Sequence, residues 1–442
     1  MSDLFRKVHD QLPVFAVDCG LYTALYTPGC IINIKKVPLH ELIHSIKNPD
    51  GIKESAYQNA ILSILERARE AVYKWELKKQ TPFYPECLTI HVGSNCNLNC
   101  PYCYSKVGGA DNKNILGFPD SDAIRTLFGY ILKSRTDKSR PFTVVFHGSG
   151  EPTFHWQKLV NAFHDISSIA RQAGQQIFAY IATNGCLKEW QIEWLAENMD
   201  LIGISCDGPQ SVRQKQSTNA RMQFLPAEKV CEIISNKGGK FEIRTTVTPD
   251  SILELKEITT YIIEDCKAKT IRIEPVFLAG EKGFTETEAD EFFNKYIESQ
   301  KYAEQQGVSY SYAGIRMTEQ HGTFCDILRN TLRLTADDVT RNCFCFMNDN
   351  SEYITGRFNK EKSSFFLSPE IQELKNKAFQ IPDQCQDCIN IYHCSRGCPD
   401  FCVIENSLSV TQQLIPFRCR LHQLIAVENI KRSAMNQKNL YS

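Results

Sequence analysis

Cys87-Leu-Thr-Ile-His-Val-Gly93-Ser-Asn-Cys96-Asn-Leu-Asn-Cys100-Pro-Tyr-Cys103 is a strand-forming run that breaks at a glycine and then delivers three thiols within eight residues. Three soft thiolates can hold three irons of a four-iron cluster and leave the fourth iron open to bind something else. A structural zinc site closes with a fourth Cys or His at short range, and none follows Cys103 before His147. The spacing C-x3-C-x2-C therefore points to an iron-sulfur centre at the end of a strand.

Outward from this loop, strand-forming runs alternate with helical stretches. The runs after 87–92 are Phe142-Thr-Val-Val-Phe, Ile177-Phe-Ala-Tyr-Ile, Leu201-Ile-Gly-Ile-Ser, Phe241-Glu-Ile-Arg-Thr-Thr-Val and Ile271-Arg-Ile-Glu-Pro-Val-Phe. Residues 121–134, 156–173 and 187–198 suit the intervening helices. Six such units predict an α/β fold, a partial (β/α)6 TIM-type barrel over 85–283. Polar or glycine-rich clusters follow the strands: Gly93-Ser-Asn-Cys96, Gly148-Ser-Gly-Glu-Pro152, Thr183-Asn-Gly185 and Asp207-Gly-Pro209. Active sites of parallel barrels lie at that edge.

Before the barrel, residues 1–84 read as a small α+β module, with strands from Pro13 to Ile34, turns at Cys19-Gly20 and Thr27-Pro28-Gly29, and helices near 38–47 and 52–79. After it, 284–318 is a linker region opening with an acidic helix. Residues 319–442 form a cysteine-rich, strand-poor domain closed by a helix over 420–436. No internal repeat or low-complexity tract interrupts the chain.

The chain has 442 residues, of which 42% are hydrophobic, enough for two or three domains with real cores. Fifty basic against fifty-one acidic residues leave a net charge of −1, which predicts no nucleic-acid or membrane partner. No apolar run approaches the ~20 residues of a membrane span, and no secretion signal opens the chain, so a cytoplasmic protein is expected. Nineteen cysteines in that compartment suit metal chemistry better than disulfides.

The second group of cysteines is Cys385-Gln-Asp-Cys388-Ile-Asn-Ile-Tyr-His-Cys394-Ser-Arg-Gly-Cys398, spaced C-x2-C-x5-C-x3-C, with Cys402 and Cys419 beyond it and Cys325, Cys343 and Cys345 before it. Spacing alone is as compatible with zinc as with iron-sulfur. Cys19, Cys30, Cys87, Cys186, Cys206, Cys231 and Cys266 are scattered on strands and helices and read as core residues.

The Cys96–Cys103 loop, with Tyr102 before its last cysteine, resembles the radical S-adenosylmethionine superfamily. That resemblance implies a four-iron cluster on Cys96, Cys100 and Cys103, with S-adenosylmethionine chelating the open iron and giving a 5'-deoxyadenosyl radical on one-electron reduction. Gly148, Ser149, Gly150, Glu151 and Pro152 resemble the segment whose backbone meets the methionine amino group. Thr183 and Asn184 resemble the turn beside the ribose, and Ser205 a position near the cofactor. Relatives often hold the methionine carboxylate with an arginine where this chain has Ser217; Arg213, Arg221 and Arg244 are the candidates to substitute, the alternative for each being a surface or strand arginine. The C-terminal cysteines resemble the SPASM extension, which holds two auxiliary four-iron clusters. It implies Cys325, Cys343 and Cys398 in the first, with Cys345 as a further candidate, and Cys385, Cys388, Cys394 and Cys419 in the second. A glycine of that pattern is Asp338 here, and Cys402 reads as a buried thiol.

Enzymes with this extension are oxidoreductases that mature peptides or proteins. The expected activity is modification of a ribosomally made precursor peptide, with a side-chain crosslink, cyclophane or thioether, as product. Sulfatase-type maturation to formylglycine is the alternative, weakened because the aspartate that follows the second ligand there is Phe344 here. A zinc-stabilised binding protein is the alternative of another class. Candidates for a base are Glu274, Asp207 and His147. A flavodoxin or ferredoxin is the expected electron donor, and the N-terminal module has the order of a winged-helix domain that captures a leader peptide by strand addition.

Overall fold

Alternating hydrophobicity becomes strands and amphipathic stretches become helices in the computed structural model, which describes residues 4–103, 117–209, 225–276, 283–322, 329–341, 354–394 and 414–436. Strands β1 (Arg6–Lys7), β2 (Phe15–Asp18), β3 (Tyr22–Thr27) and β4 (Cys30–Lys35) form an antiparallel sheet in that order. Gly20 and Gly29 make its tight turns at φ 84° and 85°, left-handed values that glycine adopts without a Cβ penalty. Helices α1 (Leu39–Lys47) and α2 (Ser55–Gln80) cover one face, packing Leu42, Ile46, Ile61 and Ile64 on Ala16, Leu25, Ile32 and Ile34. Phe15, Val17, Ala24 and Tyr26 point the other way and join the core of the main body. Both faces of the sheet are therefore buried, as the period of two along a strand allows.

The main sheet starts with β5 (Cys87–Val92). It continues through α3 (Ser121–Ser134), β6 (Phe142–Gly148), α4 (Trp156–Gln172), β7 (Ile177–Thr183), α5 (Glu189–Asn198), β8 (Leu201–Ser205), α6 (Ala227–Asn236), β9 (Phe241–Val247), α7 (Leu255–Glu264) and β10 (Thr270–Pro275). All six strands are parallel to their neighbours, as the sequence predicts. Along β6, Phe142, Val144 and Phe146 are buried toward the helices, whereas Thr143, Val145 and His147 lie half-buried on the inner face. Phe142 meets Phe128 of α3 edge-on, with centroids 5.6 Å apart. A fully buried aromatic of this kind contributes about 2–3 kcal/mol by burial alone.

The sheet does not stop at six strands. After α8 (Ala289–Gln305), β11 (Ser309–Tyr312) pairs parallel with β10. On the opposite side β12 (Thr331–Leu334) pairs parallel with β5, and β13 (Val339–Arg341), β14 (Ile354–Asn359) and β15 (Ser364–Leu367) follow antiparallel. Among the described residues the sheet thus has eleven strands, in the order β11-β10-β9-β8-β7-β6-β5-β12-β13-β14-β15. This corrects the reading of 319–419 as strand-poor. Each of these runs is only three to six residues long, and Thr, Arg and Gly at inner positions hide their alternation.

Past α9 (Ile371–Ala378), helix α10 (Leu414–Asn436) begins earlier than the expected 420. It joins the two sheets. Its Phe417 stacks on Phe284 at 4.7 Å, and Asn33 Nδ2 of β4 donates to the Ala434 carbonyl at 2.8 Å. Arg420 and Arg432 pair with Asp290 and Glu304 of α8, each at 2.9 Å. Among the described residues no helix is long and apolar enough to cross a membrane.

Candidate active site

The polar clusters read from the sequence all follow the carboxyl ends of parallel strands, so the topology brings them to one edge. The cysteine loop leaves β5 there and the glycine loop leaves β6 beside it. Their backbones are nearly in contact. A Cβ on Gly148 would stand 2.2 Å from the Val92 carbonyl oxygen, and one on Gly150 would stand 2.1 Å from that of Asn95. Ser149 N–H donates to the Val92 carbonyl at 3.2 Å, and Glu151 N–H to that of Asn95 at 2.9 Å. The small residues at 148 and 150 are thus required by the protein's own cysteine loop.

Glu151 ties this pair of loops to the turn after β7. It is buried, and Oε1 accepts from Thr153 N–H at 3.1 Å and from the hydroxyls of Thr153 and Thr183, each at 2.7 Å. Oε2 accepts the backbone N–H of Asn184 at 2.8 Å. Burial pushes the Glu151 carboxyl above its usual range against those donors. Asn184 in turn sends its amide to Asn97 Oδ1 at 2.7 Å and lies 3.8 Å from Cys96 Sγ. Leu98 N–H reaches the same sulfur at 3.4 Å. Two N–H donors aimed at one sulfur are what a cluster-ligating thiolate needs to spread its charge.

A second clasp closes the other end of the loop. Tyr102 donates its phenol to Asp207 Oδ2, and Asp207 Oδ1 accepts the backbone N–H of Thr246 at 2.6 Å. Both oxygens of this candidate base are occupied, which makes Asp207 a strut between the cysteine loop, β8 and β9. Ser205 sits exposed at the end of β8, paired in register with Arg244 of β9. His147 and Glu274 lie half-buried on β6 and β10. Burial and the nearby Arg244 and Arg333 hold His147 neutral, well below the ordinary imidazole value.

The C-terminal cysteines that are described gather along α10. Cys419, His422 and Gln423 share one face of that helix, as positions three and four apart do. His422 Nδ1 lies 3.0 Å from Cys394 Sγ, and Gln423 Nε2 lies 3.9 Å from Cys388 Sγ. Cys385 precedes Cys388 in the same short turn. Arg221, Cys325, Cys343, Cys345 and Cys398 lie outside the described residues, as do Arg213, Ser217, Phe344 and Cys402.

Among the described residues no three His, Cys, Asp or Glu side chains converge on a single metal-ion position. The thiols of a four-iron cluster bind different irons and stand apart, so the test for Cys96, Cys100 and Cys103 is their chemistry. Three thiols on one loop, half-buried or exposed at the strand edge and with N–H donors aimed at Cys96, fit such a cluster. The sequence reading missed His91, Arg333 and His422. The two histidines are buried. Each contacts a residue the motifs do identify, Ser149 and Cys394 respectively. No local signal marks them, because their partners are distant in sequence.

Residues 90–262, from within β5 to within α7, match the Radical SAM superfamily, the stretch that forms most of the parallel part of the main sheet. A cysteine-type anaerobic sulfatase-maturating enzyme of Clostridium perfringens is 24% identical over 177 residues, 39% of this chain and 46% of that enzyme. The chain thus spans less than half the length of this curated relative. The structure of native anSMEcpe with bound AdoMet superposes with a TM-score of 0.60 at 18% identity, covering 79% of this chain and 99% of that one. The same protein with bound AdoMet and Cp18Cys peptide gives 0.59 at 18% identity over the same shares. These likenesses agree on the partial-barrel fold.

Proposed function

We propose that this chain is a radical S-adenosylmethionine enzyme that modifies a ribosomally made peptide, forming a side-chain crosslink after hydrogen abstraction. The observation that carries the reading is the three-thiol loop after β5, packed against the glycine loop after β6 and braced through Glu151 and Asn184. Loaded with a four-iron cluster and S-adenosylmethionine, such a loop supplies one-electron cleavage to a 5'-deoxyadenosyl radical.

The chain's own residues do the rest. Gly148 and Gly150 let the two loops touch, Tyr102 and Asp207 hold the loop's far end, and Thr183 and Asn184 present the turn after β7. Arg244, across from Ser205, would meet the methionine carboxylate. His147 and Glu274 face the interior, where a target C–H has to be held close and dry. Cys385, Cys388, Cys394 and Cys419, gathered along α10, would hold one auxiliary cluster, and Cys325, Cys343, Cys398 and Cys345 a second. With both faces of the N-terminal sheet buried, a leader peptide would add to an edge, β1 or β4. A flavodoxin or ferredoxin would deliver electrons in the cytoplasm.

The relative's name supports a second reading, maturation of a sulfatase. Its substrate class is a protein too, and a Cys-x-Pro-x-Arg peptide turned over without any leader would favour it.

The test is iron and acid-labile sulfide per chain on anaerobically reconstituted protein, with 5'-deoxyadenosine as product. About twelve irons support three clusters, and roughly four leave only the first. In the triple variant Cys96→Ala, Cys100→Ala, Cys103→Ala, cleavage is expected to vanish while the C-terminal clusters stay. Persistent cleavage would sink the reading.

A further inference from the structure

One polar chain crosses the buried inner face and is used by none of the roles above. His91 on β5 and Arg333 on β12 are both fully buried, and the pairing of Arg333 with Thr89 puts them on the same face of adjacent parallel strands. A guanidinium nitrogen of Arg333 lies 3.1 Å from His91 Nδ1. His91 Nε2 lies 3.1 Å from the hydroxyl of Ser149. The relay thus runs from the strand added after α8 to the centre of the glycine loop.

The guanidinium selects the tautomer of His91. A guanidinium only donates, so Nδ1 of His91 accepts. The neutral imidazole then carries its proton on Nε2 and donates it to Ser149 Oγ. Ser149 N–H points toward that nitrogen at 3.3 Å as well as toward the Val92 carbonyl at 3.2 Å, and with Nε2 protonated it is the carbonyl that accepts it. Burial first, and the Arg333 charge second, keep His91 well below the ordinary imidazole value, so the ring stays neutral near neutral pH. Ser149 is also the only residue of the Gly148-Ser149-Gly150 segment with a side chain, so this bond is its one side-chain anchor point.

We infer that Arg333, acting through the fixed tautomer of His91, is a positioning residue that sets the aim of the Ser149 loop toward the methionine end of S-adenosylmethionine. This rests on the function proposed above. It also connects β12 to the site, because the strand that extends the sheet past β5 brings in the guanidinium that orients a loop from β6.

The experiment is the dissociation constant of S-adenosylmethionine on the reconstituted full chain, by equilibrium dialysis, with iron per chain and the electron paramagnetic resonance spectrum of the reduced cluster recorded alongside. Ser149→Ala, His91→Leu and Arg333→Met are each expected to weaken binding about tenfold, the scale of one hydrogen bond, at unchanged iron. His91→Gln, whose amide accepts and donates at similar reach, is expected to restore most of the loss. Arg333→Met added to His91→Leu is expected to cost less than about twofold more, because one relay is broken once. Ser149→Ala leaves the buried core intact, so it decides the matter if the core variants fail to fold. Binding by Ser149→Ala within about twofold of wild type, iron loss in that variant, or additive losses in the double variant would each overturn the relay. If wild-type protein with a full first cluster binds no S-adenosylmethionine, the proposed function falls and the relay with it.

Discussion

The phenol of Tyr102 donates to the carboxylate of Asp207, so the residue just before the third loop cysteine is fastened to the turn after β8. Burial first, and the Asp207 charge second, push the Tyr102 phenol far above its ordinary range, so it stays a donor. The backbone N–H of Thr246 fills the other carboxylate oxygen at 2.6 Å.

Tyr102→Phe removes the phenol donor from the half-buried Asp207 carboxylate, at a cost of about 1–3 kcal/mol. The expected outcome is a lower melting temperature and fewer irons retained per chain after desalting. Asp207→Asn keeps an acceptor and is expected to lose less on both measures. Equal iron retention in Tyr102→Phe and wild type would show that the clasp does not hold the loop.

Acid is expected to destabilise the fold before most carboxylates titrate. Burial lowers the imidazoles of His91 and His147 well below 6.5 and that of His321 to about 3. A histidine whose folded value is depressed adds stability that is whole above its unfolded value of about 6.5 and is lost as pH falls below it, by up to about 1.4 kcal/mol per pH unit for each group. Melting temperature measured from pH 8 to pH 5 is therefore expected to fall on the acid side. His321→Asn, which no longer titrates, is expected to shallow that slope, and an unchanged slope would remove His321 from the account.

Asp338 occupies φ 60°, the left-handed region, in the turn between β12 and β13 where the resembled family carries glycine. It compensates by accepting the backbone N–H of Asp120, the cap residue of α3, at 2.8 Å. Asp338→Gly relieves about 1 kcal/mol of backbone strain and loses a bond of similar size, so its stability is expected to stay near wild type. Asp338→Ala keeps the strain without the bond and is expected to lose about 1–2 kcal/mol in urea unfolding. The reverse order of the two variants would refute this balance.

Six strands, their helices and the edge where the loops meet were legible in the sequence, because runs such as Phe142–Phe146 and Phe241–Val247 carry their own periodicity. The Cys96-x3-Cys100-x2-Cys103 loop was legible because ligand spacing is a local property. The four strands after 329 were not, since Thr331–Leu334 and Val339–Arg341 are too short and too polar on their inner face to signal a strand, and only pairing with β5 and with one another makes them one. The roles of Asp207, Glu151 and Gly150 were equally hidden. Sequence marks an acid or a glycine at a strand end, whereas the partner that decides its work, Tyr102, Asn184 or the Asn95 carbonyl, arrives from another loop. The sequence by itself determined the local chemistry and the order of the six strands β5 to β10. Which donors meet which acceptors was decided only when the parallel sheet brought residues as distant as His91, Ser149 and Arg333 within hydrogen-bond distance, because such bonds depend on tertiary approach and leave no periodic trace along the chain.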